Sequence, residues 1–230
     1  WQDAGTLWIE SCAQSGMVIG LEELLEKSLN RLSPDLVKRI QKQITVGCDY
    51  LVLTQERARK LGFPEGAMSH DLLGQERDIL PHDAMKAIVA LLRAVRLLPG
   101  QYDSKCRIYK EAADKAYSWL LFQARPMGKY GMKISQRGIP EDTRIPEDEW
   151  ITRDILMMCS VCLEKWRADR KKEDQDRCIS YLKQIMERQF TEDNPEQGFY
   201  GHFREYASLP HSEKAWIHGI VGGQFGTDLG

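Results

Sequence analysis

Apolar positions recur along this chain at helical spacing almost from end to end, and no stretch alternates with a period of two. The pattern predicts seven helical segments. The first covers about Leu7 to Leu29. The second starts at "SPDL", where Ser33 caps and Pro34 takes the first helical position, and it sets Leu36, Ile40, Ile44 and Leu51 on one face. The third opens near "PHDAM" and stops at "LLPG". The fourth runs from Asp103 to about Gln123, ahead of Pro126. The fifth opens at "PEDEW". The sixth spans about Glu173 to Phe190, with Ile179, Leu182 and Met186 in step, and a seventh begins at "HSEKAW" and fades into glycines.

Two regularities convert this row of helices into an architecture. Helices one and two, three and four, and five and six are joined by short links ("NRLSP", "LPGQY", "RADRK"), whereas the intervening links run to roughly twenty residues. In an up-down array that alternation puts every long link on one face. The third helix ("AMKAIVALLRAV") and the fifth ("DILMMCSVCL") are apolar almost all round, and a helix apolar on all sides is covered on all sides. Ala13, Ser15, Gly16 and Gly20 equip the first helix for close packing. Helices two, four and six carry charged faces such as "KEAADK" and "KKEDQDR". The expected fold is therefore all-α: an α/α toroid of the six-hairpin type, with odd helices inside, even helices outside, and about half of an (α/α)6 barrel present. Residues 1–230 read as a single domain, incomplete at its C-terminus, and the initial Trp implies an upstream segment.

Charge changes this picture little. Lys plus Arg is 32 and Asp plus Glu is 34, a net charge of -2, with the cations spread along the chain. That excludes a basic nucleic-acid surface. The longest apolar run, "AIVALL", is too short for a membrane span. Six cysteines are scattered, all but Cys106 within helical patterns. Cys159 and Cys162 form a C-x-x-C inside an apolar stretch without a second pair or a nearby His at zinc spacing, so they read as buried free thiols. No cofactor or metal is expected.

The candidate chemistry lies at the starts of the odd helices, which read "WQDAG", "LPHDA", "PEDEW" and "PHSEKAW". Acids, histidines and tryptophans would gather there on the long-link face, next to helix N–H groups and their partial positive charge. Each signal has a plainer reading. Asp3, Asp83 and Glu149 suit helix first turns, and His82 suits a cap. Trp150 suits the core, and His202 amid Tyr200 and Arg204 suits a polar and aromatic lining. A concave face with acids and exposed aromatics fits a carbohydrate, whose apolar faces stack on Trp and Tyr and whose cleavage uses two carboxylates.

Here the residues resemble a family. "WQDAG" is similar to the W-x-D-A-G-D signature near the start of glycoside hydrolase family 9 catalytic domains, which are (α/α)6 barrels. "QITVGCDYLVL", "DAMKAIVALLRAVRLL", "YKEAADKAYSWL" and "DEWITRDILMMCSVCL" resemble successive helices of that family in the same order, over about the first 170 residues. The resemblance implies a hydrolase acting on glycans, outside the cell or in the periplasm, with Asp3 helping to hold the catalytic water. It also shows a departure. Thr6 stands where the family carries its general base, and the family's acidic Glu falls beyond the present chain.

These observations give first a glycoside hydrolase cleaving a polysaccharide or oligosaccharide by carboxylate acid/base chemistry. Asp3, Asp83 and Glu149 would be catalytic, and Trp1, His82, Trp150, Tyr200, His202, Arg204 and Trp216 would bind substrate. The expected partners are a carbohydrate and the remaining half of the barrel from a missing segment, with no nucleic acid and no membrane. Two alternatives stand beside it. One is a non-catalytic toroid binding a glycan or a protein. The other is a six-hairpin polysaccharide lyase, for which Tyr200, His202 and Arg204 in "YGHFREY" offer a base and a charge-neutralising cation.

Overall fold

A computed structural model of the protein describes residues 9–126, 149–193, 201, 203, 204 and 207. Six α-helices are present among them: α1 (Ser11–Ser28), α2 (Pro34–Lys60), α3 (Pro81–Leu97), α4 (Asp103–Phe122), α5 (Thr152–Asp169) and α6 (Lys172–Glu187). No strand longer than a single bridge occurs among the described residues. The chain forms two compact units, Trp1–Arg125 and Pro126–Gly230. The expected seventh helix lies outside the described residues.

In the first unit, α1 packs against α2 and α3, and α3 packs against α4. α3 is the centre. Thirteen of its 17 residues are buried, from Pro81 continuously to Leu92. Its sequence dictates that position, because Ala84, Met85, Ala87, Ile88, Val89, Ala90, Leu91 and Leu92 leave no polar face to turn outward. α2 is the opposite case. It buries Ile40, Ile44, Thr45, Gly47, Cys48, Leu51, Thr54 and Ala58 along one side and leaves the opposite side to solvent, and the Ser33 hydroxyl accepts a 3.3 Å hydrogen bond from the Leu36 N–H at its start. Leu36, expected on the buried stripe, is exposed in the first turn of the helix.

α1 departs from the expected inner helix. Its buried residues, Ser11, Gln14, Ser15, Val18, Glu22 and Leu25, form one stripe. Gly16 and Gly20 lie on the exposed face with Met17 and Leu24, and a side chain added at either glycine would meet nothing within 4 Å. The small residues there serve no close packing among the described residues. The helix also starts at Ser11 rather than Leu7, since Glu10 is extended (φ -68°, ψ 134°).

The second unit is a helical hairpin. α5 is buried on every side over its first seven residues, Thr152 to Met158, whereas α6 buries only Asp174 and Ile185. Ile179, Leu182 and Met186, expected on the packed face of α6, are instead exposed; Cys178, Tyr181 and Ile185 face inward. The two apolar rows are offset by one residue, so spacing alone does not choose between them. All six cysteines are free thiols on helices, Cys106 included, which lies on α4 rather than outside a helix. The odd helix is the more buried partner in the pairs α3–α4 and α5–α6, whereas α1 and α2 each bury a single stripe.

Candidate functional site

The site in the first unit is built where the loop of residues 61–80 crosses the starts of α1 and α3. Neither helix has a side-chain cap. Loop carbonyls do that work for α1: the Ser11 N–H donates to the His70 carbonyl at 2.7 Å and the Ser11 hydroxyl to the Ser69 carbonyl at 2.7 Å. The same loop segment is held from the other side. The Ser69 N–H donates to the Thr54 carbonyl of α2, the His70 N–H to the Asp78 carbonyl, and Ser69 bridges Ile79. Gly66 makes the approach feasible: at φ +91° it packs so close to α4 that a Cβ would stand 2.1 Å from the Lys115 carbonyl oxygen.

This stitching places His70 between two carboxylates. Its Nδ1 is 2.8 Å from Asp83 Oδ2, in the first turn of α3, and its Nε2 is 3.5 Å from Glu10 Oε1, just before α1. The second contact is an attraction between charges, longer than a well-formed hydrogen bond. Burial of the ring works against its charged form. The hydrogen bond to Asp83, the Glu10 carboxylate and both negative charges outweigh it, so the His70 pKa is pushed up to about 10. His70 is therefore an imidazolium at neutral pH.

Further polar groups surround this pair. Asp71 is fully buried, and its Oδ1 accepts hydrogen bonds from the Leu73 N–H at 3.0 Å and the Gln75 N–H at 2.8 Å, shaping the turn that follows. Its Oδ2 is buried without a hydrogen-bond partner. The Tyr50 hydroxyl, from α2, donates to the Ile9 carbonyl. Burial, then the charges of Asp71 and Asp83, hold that phenol protonated well above its ordinary range. His82 is buried beside Asp83 in the same turn. The arrangement stores negative charge around one cation. His70 is occupied as a proton donor to Asp83 and is not poised to take a proton at neutral pH.

In the second unit the segment after α6 returns over the start of α5. Arg188, 5% exposed, donates to the Trp150 carbonyl (2.9 Å), the Thr152 hydroxyl (3.1 Å) and Glu149 Oε1 (3.1 Å). Thr152 donates onward to the Arg204 carbonyl, and Glu149 Oε1 also accepts from the Ala207 N–H. The Arg204 N–H donates to the Arg188 carbonyl at 2.8 Å, and its guanidinium lies over the Phe190 ring at 5.5 Å. The Trp150 side chain packs against the Ile155, Leu156 and Ile185 cluster.

The structure thus groups His82 with Asp83 in one unit, and Glu149 with Trp150 and Arg204 in the other. Trp1, Asp3, Thr6, Tyr200, His202 and Trp216 lie outside the described residues. Sequence reading missed Glu10, Tyr50, His70, Asp71 and Arg188. One signal was available: "SHD" at residues 69–71 and "PHD" at residues 81–83 place two His-Asp pairs at either end of one stretch. Among the described residues no three His, Cys, Asp or Glu side chains converge as metal ligands, and no helix is long and apolar enough to cross a membrane.

Comparison with known proteins agrees with this fold and leaves its chemistry open. No protein-family model matches the chain, and no curated protein matches it. Among solved structures it is similar to the crystal structure of a metagenome-derived glycoside hydrolase family 9 endoglucanase, with a TM-score of 0.57 and 18% sequence identity. The match covers 80% of this chain and 35% of that one, so the chain spans about a third of the endoglucanase's length. At that identity the likeness concerns fold. The fold is all-α, with helical hairpins of the α/α-toroid kind found in that glycosidase, and the relation to it is distant.

Proposed function

We propose that this chain is part of a glycan-active domain, a glycoside hydrolase of the family 9 type that cleaves a polysaccharide or oligosaccharide by acid/base carboxylate chemistry. The observation that carries the reading is the likeness in fold to a family 9 endoglucanase. The "WQDAG" segment supports it, because it leads within a few residues into Glu10 and Ser11, which the His70 loop holds. Asp3 is the proposed water-holding carboxylate. Of the two further candidates, Asp83 is buried under His70 and suits holding charge, whereas the Glu149 side chain keeps 19% of its surface and suits exchange with solvent better. Trp1, His82, Trp150, Tyr200, His202, Arg204 and Trp216 remain the proposed substrate contacts. Hairpins completing the toroid, and an extracellular or periplasmic setting, belong to the same proposal.

Reducing-sugar release from a panel of soluble polysaccharides tests it. Hydrolysis by the wild-type protein should fall by on the order of 10²-fold in Asp3→Asn if that carboxylate activates water, with the thermal midpoint nearly unchanged. Normal turnover with a lowered midpoint would make Asp3 a structural residue only. A specific observation favours a second reading, a non-catalytic toroid that binds a glycan: Asp83 and Glu149 are each engaged by a cation, and position 6 is Thr. Retention on immobilised glycan without any release of reducing ends would establish that reading instead.

A further inference from the structure

Cys159 and Cys162 are a C-x-x-C in sequence, but the fold gives Cys159 a different neighbour. Its Sγ lies 3.6 Å from the Sγ of Cys178, on α6, and 3.7 Å from the Cys178 carbonyl oxygen. Cys162 is fully buried. We propose that Cys159 and Cys178 are a redox site, closing to a reversible disulfide that staples α5 to α6.

The geometry carries the proposal. The two sulfurs are already in contact, and a bond length of about 2.05 Å asks them to close by roughly 1.5 Å. Both side chains are half-buried, so small rotations and a small oxidant are sufficient. The oxidant is a low-molecular-weight disulfide such as oxidised glutathione. The Cys178 thiolate attacks one of its sulfurs, forming a mixed disulfide and expelling one glutathione thiolate. Cys159 then gives up its proton to that base and attacks the Cys178 sulfur, expelling the second thiolate. Two protein thiols are oxidised by two electrons and one small disulfide is reduced to two thiols. Burial, then the neighbouring Cys178, push the Cys159 thiol up to about 12, which makes Cys159 the later reactant. Capping Cys178 removes its charge from Cys159 and eases that second step. The staple closes the chain from 159 to 178, about two to three helical turns from the Glu149, Thr152 and Arg188 cluster. It stands independently of the glycan reading.

The test is peptide mapping of the whole protein, treated with oxidised glutathione, alkylated, and digested without reductant. A peptide linked through Cys159 and Cys178 is expected in the wild type and in Cys162→Ser, and not in Cys178→Ser. The treated wild type should also melt several degrees higher, reversibly with dithiothreitol, since the bond restricts the unfolded chain. Full alkylation of both thiols after treatment, glutathione retained on Cys178, or a link from Cys159 to Cys162 would each overturn the assignment. A Cys159–Cys178 link with no rise in the midpoint would overturn the stapling role.

Discussion

At the start of α3, a loop crosses the helix end through the bridge Ser69–Ile79 and sets His70 beside Asp83 and Glu10. At the start of α5, the returning chain crosses through the bridge Gln189–Phe203 and sets Arg188 beside Glu149. The two regions share a plan: a long link passes over the beginning of an odd helix, and one buried cation gathers carboxylates and carbonyls there. They differ in the cation. A guanidinium cannot lose its proton in a protein, so the second region is a permanent strut. An imidazolium can, so the first is a joint whose strength depends on pH. The first also has more unmet polar capacity, since Asp71 Oδ2 is buried without a hydrogen-bond partner. Buried polar atoms are ordinarily hydrogen-bonded, so the α3 end carries an electrostatic load that the α5 strut does not.

The comparison breaks most readily at Gly66, which sets the loop against α4. Gly66→Ala forces a Cβ to 2.1 Å from the Lys115 carbonyl at φ +91°, where both overpacking and backbone strain apply. A loss of about 3 kcal/mol or more in urea unfolding is expected. Gly62→Ala is the control. Its φ is +87° but nothing lies within 4 Å, so a loss of about 1 kcal/mol is expected. Equal losses would show that the loop is not clamped at Gly66.

Arg188→Met comes next. It removes donors to Glu149, Thr152 and the Trp150 carbonyl and leaves a mostly buried carboxylate without that cation. The expected loss is roughly 3 kcal/mol. Adding Glu149→Gln should restore part of it, because the two side chains act as one unit. Strictly additive losses would show that Arg188 acts only by packing.

The joint and the strut separate by pH. Below 6.5, the ordinary histidine value, folded and unfolded chains both hold the His70 proton and its stabilisation is complete. Between 6.5 and about 10 the unfolded chain has released the proton while the folded chain keeps it, so stability declines as pH rises. Denaturant midpoints should fall across that interval in the wild type and stay flatter in His70→Gln. Tyr50 adds to the decline only toward pH 10, where an unfolded tyrosine begins to ionise and the buried phenol does not, so the interval from 6.5 to about 9 isolates His70. An unchanged slope in the variant would remove His70 from the account.

How much of this was legible depended on whether a signal was local. α2 announced itself through Ser33 and Pro34, and α3 through an apolar run with no outward face. Asp83 and Glu149 were visible as acids at helix starts. Their partners were not, because His70 meets Asp83 across 13 residues and Arg188 meets Glu149 across 39. No periodicity encodes such meetings. Gly16 and Gly20 misled for a related reason: a small-residue face permits close packing, but only a neighbouring element decides whether packing occurs there.

The smallest expected effect is that of Leu182 on α6, where two apolar rows compete. Ile185 is 5% exposed and packs with Ile155 and Leu156, while Leu182 is 48% exposed. Both would satisfy a helical period, and only burial distinguishes them. Ile185→Ala should cost about 2–4 kcal/mol through lost transfer energy and the cavity left behind. Leu182→Ser exchanges one solvent-facing side chain for another and should stay within about 0.5 kcal/mol. Thermal or urea unfolding of the two variants side by side decides the matter. A large loss in Leu182→Ser would mean that this row is covered in solution, and would move the outer face of the second region from solvent to interface.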